Sequence, residues 1–146
     1  MSQTAVTLDE IVLSRLDVDH EAIVASPLME ATLDEQRLEG TTLRVVVKAI
    51  PREVVAKTID VQATNLAKLY KRKYLSRVQS EDISDLTATW AEMRNVFMGD
   101  VELLNEWLMT PLPSLNGRPP RELLQTLAGR KVLKEQLNRL CYGDFS

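Results

Sequence analysis

Residues 50–75 read "IPREVVAKTIDVQATNLAKLYKRKYL", and their reading decides the fold. Pro51 suits the start of a helix, where a missing N–H costs nothing. Val54, Val55 and Ile59 follow at helical spacing, and Asp60, Val61 and Gln62 interrupt it. Leu66 and Leu69 then restore the period, so a second helix is expected from Ala63 to Lys73. Two short helices separated by three or four residues have helix-turn-helix spacing. In that arrangement Val54, Val55, Ile59, Leu66 and Leu69 share one core, Val61 plugs the turn, and Gln62, Thr64, Asn65, Lys68 and Lys71 point outward. Short polar and basic side chains at the start of a recognition helix meet base edges and phosphates. Arg72 and Lys73 extend the basic run and would make binding salt-sensitive. Operator DNA is therefore the expected ligand of this face. The plainer reading is that many all-helical domains join two helices by a tight turn.

Working outward, charge singles out the same region. Residues 1–40 hold nine acidic and two basic side chains, residues 41–80 two acidic and nine basic, and residues 81–146 ten acidic and seven basic. The overall charge of −3 thus hides a basic island. Such an island either solvates helix faces or meets a polyanion.

Upstream, "TLDEIVLSRL" offers Thr7 as an N-cap with Glu10 three residues on, then Ile11, Val12 and Leu16. "SPLMEATLDEQRLEG" offers Ser26 as cap, Pro27 in the first turn and Gly40 as a stop. "TTLRVVVKAI" suits a buried strand or a helix, and with no partner strand elsewhere a helix is expected. Downstream, a helix from Ser80 to Phe97 is expected, with Ile83, Leu86, Trp90, Met93 and Phe97 as its core stripe. The next, capped by Asp100, should bury Val101, Leu104, Trp107 and Leu108. The last, from Arg130 to Leu140, should bury Val132, Leu133, Leu137 and Leu140. The fold expected is all-α, with an acidic helical segment over residues 1–40, a helix-turn-helix region over 41–80 and a small helical domain over 81–146.

Composition removes several functions. Cys141 is the only cysteine and His20 the only histidine, which excludes disulfide frameworks, Cys/His zinc sites and imidazole-based nucleophilic catalysis. Cys141 is expected to be a half-buried structural thiol. No glycine loop for nucleotides, metal constellation or nucleophile–base pair is legible, so neither an enzyme nor a bound cofactor is expected. No apolar run nears the roughly 18 residues of a membrane span, and the start "MSQTAVTLDE" has no leader pattern, which predicts a cytoplasmic protein.

A resemblance emerges over residues 86–146. Val96 and Phe97 with Gly99, Trp107 with Leu108, Pro111, Leu115 with Gly117, Pro120 with Leu123 and Leu124, Thr126, Gly129, and Tyr142 with Gly143 follow in an order that resembles the toxin-binding domain of the Xre/MbcA/ParS antitoxin family. Upstream, Leu66, Leu75, Ser76 and Asp82 are similar to that family's Xre-like helix-turn-helix segment. Asp60 stands where the family's turn has glycine, and Ala63 where its recognition helix has arginine.

The resemblance implies a type II antitoxin. It would bind a cognate NAD-consuming toxin, of RES or ADP-ribosylating type, and cover its active site. It would also bind its own promoter as a homodimer and join the toxin in a higher hetero-oligomer. The toxin-facing residues expected are Arg130, Lys134 and Asn138 on the last helix, then the tail Cys141, Tyr142, Gly143, Asp144, Phe145 and Ser146. Tyr142 and Phe145 offer aromatic anchors, and Asp144 with the terminal carboxylate offers anions to a phosphate-binding pocket. The plainer fate of such a tail is fraying. A stand-alone helix-turn-helix regulator is the alternative function.

Overall fold

The computed structural model describes residues 7–16 and 37–142. Within them lie seven α-helices: α1 (Leu8–Arg15), α2 (Gly40–Ala49), α3 (Arg52–Thr58), α4 (Leu66–Tyr70), α5 (Arg77–Val96), α6 (Val101–Met109) and α7 (Leu127–Tyr142). Short 3-10 turns cover Ala63–Asn65, Pro113–Leu115 and Pro120–Gln125. Among the described residues no strand occurs, and the only pairing of that kind is an isolated bridge between Leu112 and Arg118. The chain is all-α, as its periodicity implies. The helix expected to follow Ser26, and most of the acidic segment, lie outside the described residues.

Local chemistry explains most helix ends. Thr7 caps α1 by accepting a hydrogen bond from the Glu10 N–H at 3.1 Å. Asp9 then reaches α2: its carboxylate accepts from the Glu39 N–H at 2.9 Å and from the Thr42 hydroxyl, tying the first helix to the start of the second. The segment with the β-branched run is helical, with Thr42, Leu43 and Val46 buried.

Two caps differ from expectation. Gly40 does not stop a helix but opens α2, because a side chain there would strike the carbonyls of Leu69, Tyr70 and Arg72. The long helix starts at Arg77 rather than near Ser80, since Ser76 forms a reciprocal capping box with Gln79. Ser80 is instead buried, donating to the Ser76 carbonyl and accepting from the Leu38 N–H at 2.8 Å.

The long α5 is the axis of the molecule. Ile83, Leu86, Trp90 and Met93 on it are buried, with α1 and α7 packed along it. A single cluster of buried apolar side chains runs from Leu8 to Leu137 and includes Val54, Val55, Leu66 and Leu69 of the helix pair. The α3 helix packs on the 3-10 turn Pro120–Gln125, so the helix pair and the C-terminal region share that core.

Candidate functional site

Two surfaces carry the residues of interest. On the first, α3 ends in a backbone motif whose geometry the sequence explains. The Asp60 N–H bonds to the Lys57 carbonyl at 3.2 Å and the Val61 N–H to the Ala56 carbonyl at 2.9 Å. Asp60 itself sits at φ 57°. That is a Schellman closure with aspartate in the left-handed position, which Asp tolerates better than most non-glycine residues. Asp60 thus does the work expected of a glycine there. Val61 is half-buried against the core and does plug the turn.

The second helix is shorter than its sequence implies. It begins as the 3-10 turn Ala63–Asn65 and continues as α4 to Tyr70. Gln62, Thr64, Asn65 and Lys68 are exposed along it, while Leu66 and Leu69 are buried. Lys71 is the C-cap, and Arg72 and Lys73 lie beyond the helix in the turn that leads to Leu75. All seven are exposed, but only Thr64, Asn65 and Lys68 lie within the helical segment, with Gln62 as its N-cap.

The second surface is built by α6, α7 and the loops joining them. The close of α5 places Met98 at φ 55° and Gly99 at φ 82°, with the Gly99 N–H bonded to the Arg94 carbonyl at 2.9 Å. Met98 is 92% exposed there. Phe97 and Trp107 are half-buried, their rings 5.5 Å apart and tilted by 51°. Asn116 and Gly117 both have positive φ, and the Gly117 N–H returns to the Leu112 carbonyl at 2.9 Å, which makes the turn sharp. Pro119 and Pro120 then lead into the 3-10 segment Pro120–Gln125.

The helix α7 begins at Leu127, three residues earlier than expected. The Thr126 hydroxyl accepts from the Gly129 N–H at 2.9 Å, so Gly129 lies inside the first turn. A Cβ at Gly129 would collide with the Leu123 backbone, and this close approach is why glycine stands there.

Arg130 corrects an assignment. It is 1% exposed, its Nε donating to the Asp85 carboxylate at 2.5 Å and an Nη to the Leu124 carbonyl at 2.8 Å. Its guanidinium therefore joins α7 to α5 and cannot face a partner. The same corner holds Arg15, which donates to the Ser84 carbonyl and hydroxyl at 2.8 and 3.0 Å. Burial lowers the Arg15 pKa, and Asp85 opposes the shift. The Asp82 carboxyl is held above its ordinary value by burial, with Arg130 lowering it and Asp85 and Glu81 raising it.

Of the other expected toxin-facing residues, Lys134 is half-buried and Asn138 and Cys141 are exposed, at helical spacing on α7. Cys141 is thus neither half-buried nor in a released tail, since α7 continues to Tyr142. The side chain of Tyr142 and all of Gly143, Asp144, Phe145 and Ser146 lie outside the described residues. Val101, Val132 and Leu140 are not core: each is exposed. They join Met98, Leu103, Met109 and Leu127, so among the described residues seven of the nine exposed large apolar side chains lie between residues 98 and 140. Periodicity marked the stripes of α6 and α7 but not which positions have no neighbour to cover them. Among the described residues no group of acidic, His or Cys side chains is arranged to hold a metal, and no helix is long and apolar enough to cross a membrane.

Comparison with known families falls on this second surface. Residues 94–143 match the family model of the antitoxin Xre/MbcA/ParS C-terminal toxin-binding domain. The match supports a toxin–antitoxin antitoxin with a toxin as its partner. Among curated proteins and solved structures none matches the chain.

Proposed function

We propose that the chain neutralises a cognate NAD-consuming toxin, of RES or ADP-ribosylating type, by laying α6, α7 and the C-terminal tail over its active site. The observation that carries this reading is the match over residues 94–143. Exposed apolar side chains serve partner surfaces, and Met98, Leu103, Met109 and Leu127 are exposed within the matched segment. Lys134, Asn138 and Cys141 on α7 lead toward the tail, where Tyr142 and Phe145 serve as anchors and Asp144 mimics substrate anions.

Coexpression with the enzyme encoded beside this chain tests the reading. The full chain restores growth, and removal of the six residues from Cys141 weakens protection while helix content is kept. Full protection by the truncated chain rejects occlusion by the tail.

The same reading gives the helix pair a role in autoregulation. Gln62, Thr64, Asn65 and Lys68 enter the major groove of operator DNA, with the protein acting as a homodimer on two half-sites. Operator binding that is tight without the toxin, together with no protection from it, would favour a stand-alone regulator.

A further inference from the structure

Because α4 ends at Tyr70, the basic run continues as a strap rather than a helix face. Residues 72–75 run beside residues 37–40, joined by the Gly40 N–H to the Arg72 carbonyl at 3.1 Å and the Leu75 N–H to the Leu38 carbonyl at 2.7 Å. Gly40 permits this approach, as any side chain there would meet the Arg72 carbonyl and those of Leu69 and Tyr70 at the end of α4. The pairing brings in Arg37, a residue distant in sequence from the recognition segment. Its Nε donates to the Leu75 carbonyl at 2.8 Å, leaving the Nη groups uncommitted to that bond.

Around Tyr74 the strap gathers charge. The Arg37 guanidinium carbon lies 5.7 Å and the Lys73 ammonium 5.6 Å from the ring centroid. The ring is 42% exposed, and Lys71, Arg72 and Arg77 beside it are exposed as well. Among the described residues none of these cations meets a carboxylate at ion-pair distance. Like charges gathered about one ring repel, and an anion between them relieves that repulsion.

We propose that Arg37, Lys73 and the Tyr74 hydroxyl form a phosphate clamp for duplex DNA, gripping the backbone that flanks the groove entered by α4. The inference rests on the helix pair being a DNA-binding element and adds a contact outside it. Three observations favour a phosphodiester backbone over another partner. Five cations, Arg37, Lys71, Arg72, Lys73 and Arg77, lie along the strap and the start of α5, Arg37 half-buried and the others exposed. The cluster continues directly from the exposed face of α4. Two cations already lie against the Tyr74 ring, where they compete with an unstacked base for it. Such a clamp adds affinity and orientation but reads no sequence.

The test measures binding of the full chain to the duplex upstream of its own reading frame and to a random duplex of equal length, over a range of salt. Lys73→Gln removes a cation without touching the strap's hydrogen bonds, and Arg37→Gln removes the second. Each should lower the slope of log affinity against log salt by about 1 and weaken both duplexes alike, leaving their ratio unchanged. Tyr74→Phe should weaken both duplexes with the slope kept. Lys68→Ala with Lys71→Ala should instead collapse the ratio. An unchanged slope in Lys73→Gln and Arg37→Gln, while the Lys68/Lys71 variant loses binding, overturns the clamp and spares the DNA reading. Failure of the parent chain to bind either duplex overturns both. Tighter binding to single strands than to duplex, lost in Tyr74→Ala, overturns the clamp in favour of a stacking platform.

Discussion

Arg130 shows how one side chain sets the course of a helix. A buried guanidinium is stable only where carboxylate and carbonyl oxygens replace its water, and Asp85 and Leu124 do so. Removing one partner leaves the other uncompensated. Arg130→Ala should therefore cost about 3 kcal/mol, read as a lower urea midpoint with unchanged m-value, although Asp85 keeps partial access to water. Asp82, on the same face of α5, behaves oppositely. Its pKa is raised in the folded state, so the folded chain holds that proton more tightly than the unfolded one. The associated stability is complete below the ordinary carboxylate pKa and is lost as pH rises through the folded value. Asp82→Asn should accordingly raise the urea midpoint at neutral pH, and the gain should vanish below the ordinary carboxylate pKa.

At the scale of the element, caps govern. Ser76 satisfies the Gln79 N–H while the Gln79 side chain satisfies the Ser76 N–H, which fixes where α5 begins. Ser76→Ala should cost about 1 kcal/mol, measurable by thermal unfolding, with Ser80→Ala costing more because its hydroxyl also holds the Leu38 N–H in a buried site. The contrast explains what sequence reading could reach. Helix existence was legible, because 3.6-residue periodicity and capping chemistry are local. So were the exposed Gln62, Thr64, Asn65 and Lys68, and the inward Val54, Val55, Ile59, Leu66 and Leu69. What escaped depends on residues far along the chain. Gly40 read as a helix stop and Gly129 only as a motif residue, yet each is glycine because another backbone lies against it. Arg130 read as a surface cation because Asp85, its partner, is 45 positions away. Val101, Val132 and Leu140 fit an apolar stripe, but no neighbouring element covers them. The C-terminal region was recognisable from its motif, which local spacing preserves, while the strap at Arg37 has no local signature at all.

At the scale of the whole molecule, the described residues share one core that runs from Leu8 to Leu137. The C-terminal surface cannot be lifted from its support, because Ile83, Leu86, Trp90 and Met93 of α5 precede the matched segment and α3 packs on Pro120–Gln125. Arg121 adds an exposed bridge to Glu53 at 3.3 Å, which contributes little by itself but marks the same seam. A fragment starting at residue 94 should show no cooperative thermal transition, whereas the full chain should unfold in one. Two separate transitions in the full chain would contradict a shared core. If no part stands alone, a protease that catches either end and pulls leaves no stable remnant behind. For a chain that both represses and inhibits, as proposed above, degradation would end the two activities in a single event and at one rate.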